Sequence, residues 1–444
     1  MYCPNSGIWN AMTPKLKEQY FMCYWPDARI RQHVAMLHAF GFNALQVSVV
    51  GQMPRNAGTT MEEWVHRVNV MIDAGHALGM SITQFVWGNA VSSLDPHAAD
   101  PHPLHDWHQP EHRNALYQEW ERSARAIGAK ADRVVTHWCD PGGATPDCPD
   151  CTIHTAVEMH NAIMEVFRRV NPRIAGYISN WMLYPGNKSF DHGWPGYDGV
   201  HSIANDRDLD PASGVAIGIM NYGNNGERLD RCGQLNPADL HMLTEAGRRG
   251  AVWAWYTTDV EILPALHVHT KLLQNYFRSL PVETTNAVDW HTVDDCCSGL
   301  NMHNLYLAGH LMQDPSLDAE ALLREYADGF VGPEAAPILV RALAAVEHAR
   351  CRSLRYDLKV GDPNEELHDK LADALPPDWA DQGVDMARSS LEELSGLTLP
   401  PGHQPPWPVT LSRHEFLYEL VAHLRAIEQM LSYLKAQGNE SRQL

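Results

Sequence analysis

The feature that most constrains the fold of this chain is a repeated alternation of amphipathic helices and β-branched runs. Apolar residues at helical spacing end at a glycine, and a short run of strand-forming residues then follows. The pattern predicts strands at 43–49, 81–87, 133–140, 174–182, 199–204, 215–222, 251–256 and 284–290, with helices between most of them, the last at 263–280. Strands separated by helices pair in parallel through right-handed crossovers. Seven or eight such units predict a (β/α)8 TIM barrel over residues 1–300, with residues 6–12 as an alternative first strand.

The chain beyond residue 300 has a different pattern, in which only helices are predicted. Apolar stripes at helical spacing occur at 305–312, 317–330, 335–356 and 415–435, and a proline-rich loop precedes the last of them. Neither a heptad repeat long enough for a coiled coil nor a tandem repeat is present. The sequence therefore predicts an α/β barrel domain over 1–300, followed by an all-helical C-terminal domain over 301–444.

Charge and cysteine content exclude several classes of protein. The 444 residues include 34 basic and 54 acidic side chains, for a net charge of −20, which argues against nucleic acid or an anionic membrane as a partner. No run approaches the ~20 apolar residues that span a bilayer, and the first residues lack the pattern of a signal peptide. Nine scattered cysteines predict reduced thiols in a cytoplasmic protein. The oligomeric state is left open, a homo-oligomer included.

Polar and aromatic side chains collect where the predicted strands end, which is where parallel barrels carry their functional residues. Asp140 ends the run 133–140 and is followed by Pro-Gly-Gly, which already supplies the turn. The predicted catalytic residues are Asp140, Glu261 and Asp259. The predicted substrate-binding residues are Trp87, His137, Trp138, Asn221, Tyr222, Trp255, Tyr256, Asp289 and His291. Aromatic faces stack on sugar rings, polar groups bond hydroxyls, and two facing carboxylates are what acetal hydrolysis requires.

Each of these signals also has a structural interpretation. An acid after a strand is about as often a helix cap or turn residue, and Asp259 or Glu261 would cap the following helix. Several of the aromatic residues are expected to serve only packing. Cys148 and Cys151 form a CxxC pair, with two interpretations: a structural zinc, or unligated thiols, which a lone CxxC favours. The histidines at 97, 102, 105, 108 and 112 lie in one long predicted loop and have two interpretations: a metal cluster, or a solvated lid over the pocket, which is favoured.

Several motifs resemble one group of enzymes. They are the segment 300–308 (Leu-Asn-Met-His-Asn-Leu-Tyr-Leu-Ala), the segment 314–318 (Asp-Pro-Ser-Leu-Asp), the segment 322–326 (Leu-Leu-Arg-Glu-Tyr), Gly332-Pro333, and the stretch 252–267. They resemble α-glucuronidase-like and β-N-acetylhexosaminidase-like glycoside hydrolases, and more closely bacterial relatives in that barrel superfamily. In those relatives a strand ending in Asp precedes a Cys-rich loop, which Asp140 and Cys148-x2-Cys151 match, with Ala144 near the place of a first cysteine.

The resemblance covers residues 25–350 and carries expectations for fold and activity. It implies a (β/α)8 barrel, exo-type glycosidase activity and an acid at Asp140. No adjacent Asp-Glu pair follows the central strand, so substrate-assisted cleavage of N-acetyl sugars is not expected. The α-glucuronidase-like scheme fits better, because it has an acid on a middle strand and a base on a late strand.

Three functional hypotheses follow. In the first, the protein is a glycoside hydrolase of oligosaccharide or polysaccharide degradation. Asp140 is its general acid and Glu261 its base or nucleophile, with Asp259 and Asp289 as rivals. The second is a non-catalytic carbohydrate-binding barrel, which would lack a carboxyl pair across its pocket. The third is a metal-dependent hydrolase or isomerase acting on sugars through histidines and Cys148 with Cys151, which metal analysis would detect. Apart from a structural zinc, no cofactor is predicted.

Overall fold

Seven parallel strands form one sheet in the computed structural model, in the order of the chain. The structure describes residues 24–49, 59–91, 105–138, 152–180, 197–220, 243, 245–255, 266, 268–279, 288–293, 300–350 and 378–441. Each strand pairs with the next in parallel register, from Leu45 opposite Ile82 to Ala254 opposite Val293. The predicted α/β class is confirmed. The alternative first strand at 6–12 lies outside the described residues, so closure into an eight-stranded barrel stays a prediction.

Among the described elements, helices and strands alternate as far as residue 293 except that β6 follows β5 directly, and every described element beyond residue 293 is a helix. The strands are β1 Ala44–Ser48, β2 Ser81–Trp87, β3 Arg133–His137, β4 Ala175–Ser179, β5 Gly214–Met220, β6 Gly250–Trp255 and β7 Val288–Val293. The helices are α1 Asp27–Ala39, α2 Met61–Ala77, α3 Pro110–Ile127, α4 Ile153–Val170, α5 Tyr197–Ala204, α6 Thr270–Ser279, α7 Met302–Gln313, α8 Ala319–Val331, α9 Ala336–Arg350, α10 Trp379–Ser395 and α11 Arg413–Ser441.

The sheet is strongly curled, as a contact across three strand spacings demonstrates. The hydroxyl of Tyr177 on β4 donates a hydrogen bond to the carboxylate of Asp289 on β7. In a flat sheet these strands would lie roughly 14 Å apart, because neighbouring strands are about 4.8 Å apart. A tyrosine side chain cannot span that distance. The inner face of the curl is filled by Val135, Tyr177, Ala216 and Ala251.

The outer face of the sheet packs against helices whose local sequence explains where they begin. Thr60 and Glu63 form the predicted capping box at the start of α2, each side chain accepting a bond from the other residue's backbone N–H. Behind the cap, Trp64, Val68 and Met71 are buried on one face of the helix, as the apolar spacing predicted. Local capping and amphipathic periodicity therefore place this helix on the sheet.

The helices after β7 pack directly on the helices of the sheet region. Gly309 on α7 lies against the end of α1, where an added Cβ would come within 2.0 Å of the carbonyl oxygen of Phe40. The side-chain amide of Gln313 also donates to the carbonyl of Gly41 at 2.7 Å. One apolar cluster extends from Ile30 on α1 through the sheet helices to Leu431 on α11. None of the described helices is both long enough and apolar enough to cross a lipid bilayer.

The sequence predictions fail at three helices and one strand end. Residues 199–204, predicted as a strand, lie in helix α5, because a short apolar run fits either period. The helix predicted from residue 263 begins at Thr270. Helix α10, Trp379–Ser395, was not predicted. Strand β7 continues to Val293, three residues beyond its predicted end, and this moves Asp289 away from the carboxyl end of the strand.

Candidate active site

Two predicted site residues, Trp87 and His137, lie side by side at the carboxyl ends of adjacent strands. They are the last residues of β2 and β3 and stand opposite one another in the parallel register. Their ring centroids are 5.8 Å apart, and Phe85 contacts both, at 4.9 Å from Trp87 and 5.0 Å from His137. Residues two apart on a strand share a face, so Phe85 supports the pair from below. The result is an aromatic wall at the edge where parallel barrels carry their chemistry.

His137 is a neutral imidazole at physiological pH. It is 2% exposed, and burial lowers its pKa from 6.5 to about 3, because the charged ring would lose its hydration. A neutral imidazole can donate one hydrogen bond and accept another. This chemistry suits a sugar hydroxyl better than it suits proton donation to a leaving group.

Trp138, another predicted substrate-binding residue, is part of the core. It is fully buried, and its indole N–H donates to the carbonyl of Ser179 at 2.8 Å. Its ring covers Gly88, where an added Cβ would lie 2.4 Å from the nearest ring carbon. These contacts favour a packing function over contact with a ligand.

Buried polar groups extend the same edge of the sheet on both sides of His137. Asn89 follows β2 and Asn180 follows β4, and neither is exposed. The carbonyl of Asn89 accepts a bond from the backbone N–H of His105 at 2.9 Å, which brings part of the predicted histidine lid to the end of β2. His105 packs edge-on against His112 at 4.9 Å, and burial together with His112 lowers the pKa of His105.

Asp289 lies at the opposite end of the sheet from Trp87 and His137. It is the second residue of β7, and its carboxylate accepts a hydrogen bond from Tyr177. Arg249, which precedes β6, places its guanidinium 3.9 Å from this carboxylate and 5.2 Å from the centroid of the Tyr177 ring. The expectation that Asp289 stands at the carboxyl end of its strand is therefore wrong, and its contacts are those of a structural ion pair.

The remaining predicted residues are described only in part or not at all. Trp255 is the last residue of β6, at the same edge as His137, and His291 lies within β7; only their backbone positions are described. The following lie outside the described residues: Asp140, Asp259, Glu261, Asn221, Tyr222, Tyr256, Cys148 and Cys151. Their predicted functions, and the predicted zinc, stay predictions.

One cluster of metal-type donors occurs within the described parts of the chain, at the start of α4. Donor atoms of His154, Asp206 and Asp208 lie within 4.8 Å of one another. Asp206 contacts the ring Nδ1 at 2.9 Å, whereas Asp208 is 3.7 Å from Nε2. The lone pairs of the two ring nitrogens diverge, so one ion cannot use both contacts. The hydrogen bond to Asp206 raises the pKa of His154. The arrangement is therefore that of a histidine between two carboxylates that favour its charged form.

Comparison with known proteins places the fold among sugar-cleaving enzymes. No protein-family model matches the chain, and no curated protein matches it. Solved structures do match. An O-GlcNAc hydrolase of Thermobaculum terrenum aligns with a TM-score of 0.55 and 10% identity, over 93% of this chain and 80% of the other. The chain shares its fold with glycoside hydrolases.

Two further structures support that statement. The protein CpGH84B aligns with a TM-score of 0.52 and 11% identity, over 94% of this chain and 68% of the other. A GH138 enzyme targeting pectin rhamnogalacturonan II aligns with a TM-score of 0.56 and 10% identity. The alignment covers 95% of this chain but only 54% of the pectin-targeting enzyme. At such identities the likeness concerns the fold alone.

Phe85 was missed as a contributor to the aromatic wall. Its signal was present in the sequence, because Phe85 and Trp87 are two apart in a predicted strand and must share a face. The packing of Trp138 against Gly88 had no comparable signal, since a tryptophan after a strand is equally compatible with a pocket and with a core.

Proposed function

We propose that this protein is a glycoside hydrolase that acts on the end of an oligosaccharide or glycoside. The proposal rests chiefly on Trp87 and His137, which form an aromatic wall at the carboxyl edge of the sheet. His137 precedes Asp140 by three residues in the sequence. The fold shared with glycoside hydrolases supports the same reaction class.

In the proposed reaction, two carboxyl groups have different functions. Asp140 gives its proton to the glycosidic oxygen as the bond to the anomeric carbon breaks, and Glu261 acts from the other side as base or nucleophile. Asp259 is the rival for the second function. Asp289 is no longer a rival, because it lies at the other end of the sheet. Trp87 would stack on the apolar face of the sugar, and neutral His137 would bond a hydroxyl.

The test is hydrolysis by the wild type and by Asp140→Asn. Substrates are 4-nitrophenyl glycosides of neutral, N-acetylated and uronic sugars, together with pectin-derived oligosaccharides. Loss of the general acid should lower kcat on the oligosaccharides, whose leaving hydroxyl group needs a proton, by about 10²–10⁴-fold with the circular dichroism spectrum unchanged. Asp328→Asn, an exposed substitution on α8, is the matched control and should keep full activity.

The product anomer, followed by NMR during the first turnovers, reports the separation of the carboxyl pair. Retention corresponds to a separation of about 5–5.5 Å and inversion to about 6.5–9.5 Å. A folded Asp140→Asn variant with wild-type kcat on the oligosaccharides would remove Asp140 from the mechanism. Sugar binding by the wild type without any turnover would instead identify a non-catalytic carbohydrate-binding barrel.

A further inference from the structure

Three helices of the C-terminal region each provide one side chain that accepts a hydrogen bond from a backbone N–H group in the segment that enters α6. His423 on α11 contacts the N–H of Leu266 through Nε2 at 3.0 Å. Asn304 on α7 accepts from the N–H of His269 through Oδ1 at 3.0 Å. Glu347 on α9 accepts from the N–H of Lys271 through Oε1 at 2.8 Å. We call these three side chains, His423, Asn304 and Glu347, the α6 clamp.

The clamp satisfies donors that the helix itself cannot satisfy. The first N–H groups of a helix have no acceptor one turn earlier, and buried donors left without a partner are costly. Leu266 and Thr270 are buried, so water is a poor substitute at this segment. Glu347 also brings a carboxyl group to the positive end of the α6 dipole. Asn304 and Glu347 therefore supply, at His269 and Lys271, what local capping residues usually supply, and His423 binds the N–H of Leu266, four residues before α6 begins.

The hydrogen bonding of His423 fixes its function as an acceptor. Its Nδ1 lies 2.8 Å from the carbonyl of Glu419, one turn earlier on α11. A carbonyl can only accept, so Nδ1 carries the proton. Nε2 of the neutral ring then accepts a hydrogen bond from the N–H of Leu266. Leucine at this position would keep the bulk of the side chain but offer no acceptor.

The clamp lies where the connection from β6 enters α6. Trp255 ends β6 at the carboxyl edge of the sheet, and the predicted Asp259 and Glu261 follow in the sequence. Leu266 is five residues beyond Glu261. Anchoring both ends of a connection restricts the conformations open to it. We propose that His423, Asn304 and Glu347 are positioning residues, through which the C-terminal helices align the β6–α6 connection for hydrolysis; this rests on the function proposed above.

Hydrogen–deuterium exchange by mass spectrometry measures the clamp without any substrate. Overlapping peptides covering 262–280 are compared in wild type, His423→Leu and His414→Leu, the last an exposed histidine on the same helix. Loss of one buried acceptor should speed exchange at Leu266 by about fivefold or more. His414→Leu should leave exchange unchanged. His423→Gln, which keeps an acceptor oxygen, should restore part of the protection.

Turnover of the best 4-nitrophenyl glycoside measures the catalytic consequence in the same proteins. Misalignment should lower kcat of His423→Leu by about tenfold to a hundredfold, with KM changed less than about twofold. His423→Gln should recover most of this kcat. A purely structural role would lower the amount of folded enzyme and leave the kcat of the folded fraction as in wild type.

The outcomes separate the inference from the function on which it rests. A folded His423→Leu with wild-type exchange at 262–280 overturns the clamp. Faster exchange with unchanged kcat overturns the positioning function. If His423→Leu does not fold, amide exchange in the wild type tests the clamp instead. Unprotected exchange of the N–H groups of Leu266, His269 and Lys271 in the wild type would contradict it. If the wild type hydrolyses none of the glycosides, the proposed function fails, whereas exchange still tests the clamp itself.

Discussion

Replacing Glu347 by glutamine should stabilise the protein at alkaline pH and have little effect at acidic pH. Glu347 is 7% exposed. Burial raises its pKa from the usual 4.5 to about 7, although the N–H of Lys271 and the charge of that residue act in the opposite direction. The native state therefore keeps the proton of Glu347 over a pH range in which the unfolded chain has lost it.

The sign and size of the effect follow from proton linkage. Between pH 4.5 and 7 the native state binds one more proton than the unfolded state, so the free energy of unfolding falls as pH rises. The stabilisation is complete below pH 4.5 and lost above pH 7. The two pKa values, 4.5 in the unfolded chain and about 7 in the native state, differ by about 2.5. One pKa unit corresponds to about 1.4 kcal/mol, so the free energy of unfolding changes by about 3 kcal/mol. Glutamine keeps the acceptor oxygen and the volume but has no such dependence.

The assay is urea unfolding followed by tryptophan fluorescence, from pH 4.5 to pH 8. The free energy of unfolding of Glu347→Gln, relative to wild type, should rise by about 3 kcal/mol over this range. Glu334→Gln, an exposed substitution just before α9, is the control, and its free energy of unfolding should change with pH as that of the wild type does. A constant difference between Glu347→Gln and wild type at every pH would refute the reasoning, since the carboxyl would then titrate alike in both states.

Two further substitutions test the packing that supports the candidate site. Gly88→Ala should destabilise the protein by about 1–3 kcal/mol, because the new methyl group would lie 2.4 Å from the Trp138 ring. Thermal unfolding measures this against Gly396→Ala, whose added Cβ would have its nearest neighbour at 3.8 Å; equal melting temperatures would contradict it. His160→Ala should cost about 3 kcal/mol, since the buried ring bonds Thr136 at 2.8 Å and Ser213 at 2.9 Å. An unchanged urea midpoint would exclude that bridge.

Much of the secondary structure could be predicted because its signals are local. The capping box of Thr60 and Glu63 and the apolar stripe behind it lie within one helix, and both are confirmed. Strand β2 has the bounds that its run of β-branched and aromatic residues predicts. The prediction of a strand at 199–204 was wrong because six residues are too few to distinguish a helical period from an extended one.

Only those residues of the candidate site that lie at the ends of predicted strands could be predicted from the sequence. Trp87 was found because it closes a predicted strand and His137 because it lies near the end of the next one, and the parallel register then brings them together. Asp289 was misplaced because the end of β7 has no clear stop signal, and an error of three residues moves a side chain along the sheet. Trp138 was assigned to the pocket because the sequence does not reveal that Gly88 makes room for its ring.

The sequence by itself determined where most of the described helices and strands form, since caps, glycines and apolar periodicity act over a few residues. Only the tertiary structure decided which side chains meet. The α6 clamp joins residues 35, 76 and 157 positions apart. Such contacts depend on how helices pack around the curled sheet, and no local pattern encodes them. The carboxylate of Asp289 likewise became a partner of Tyr177 because the sheet curls, a property of all its strands together.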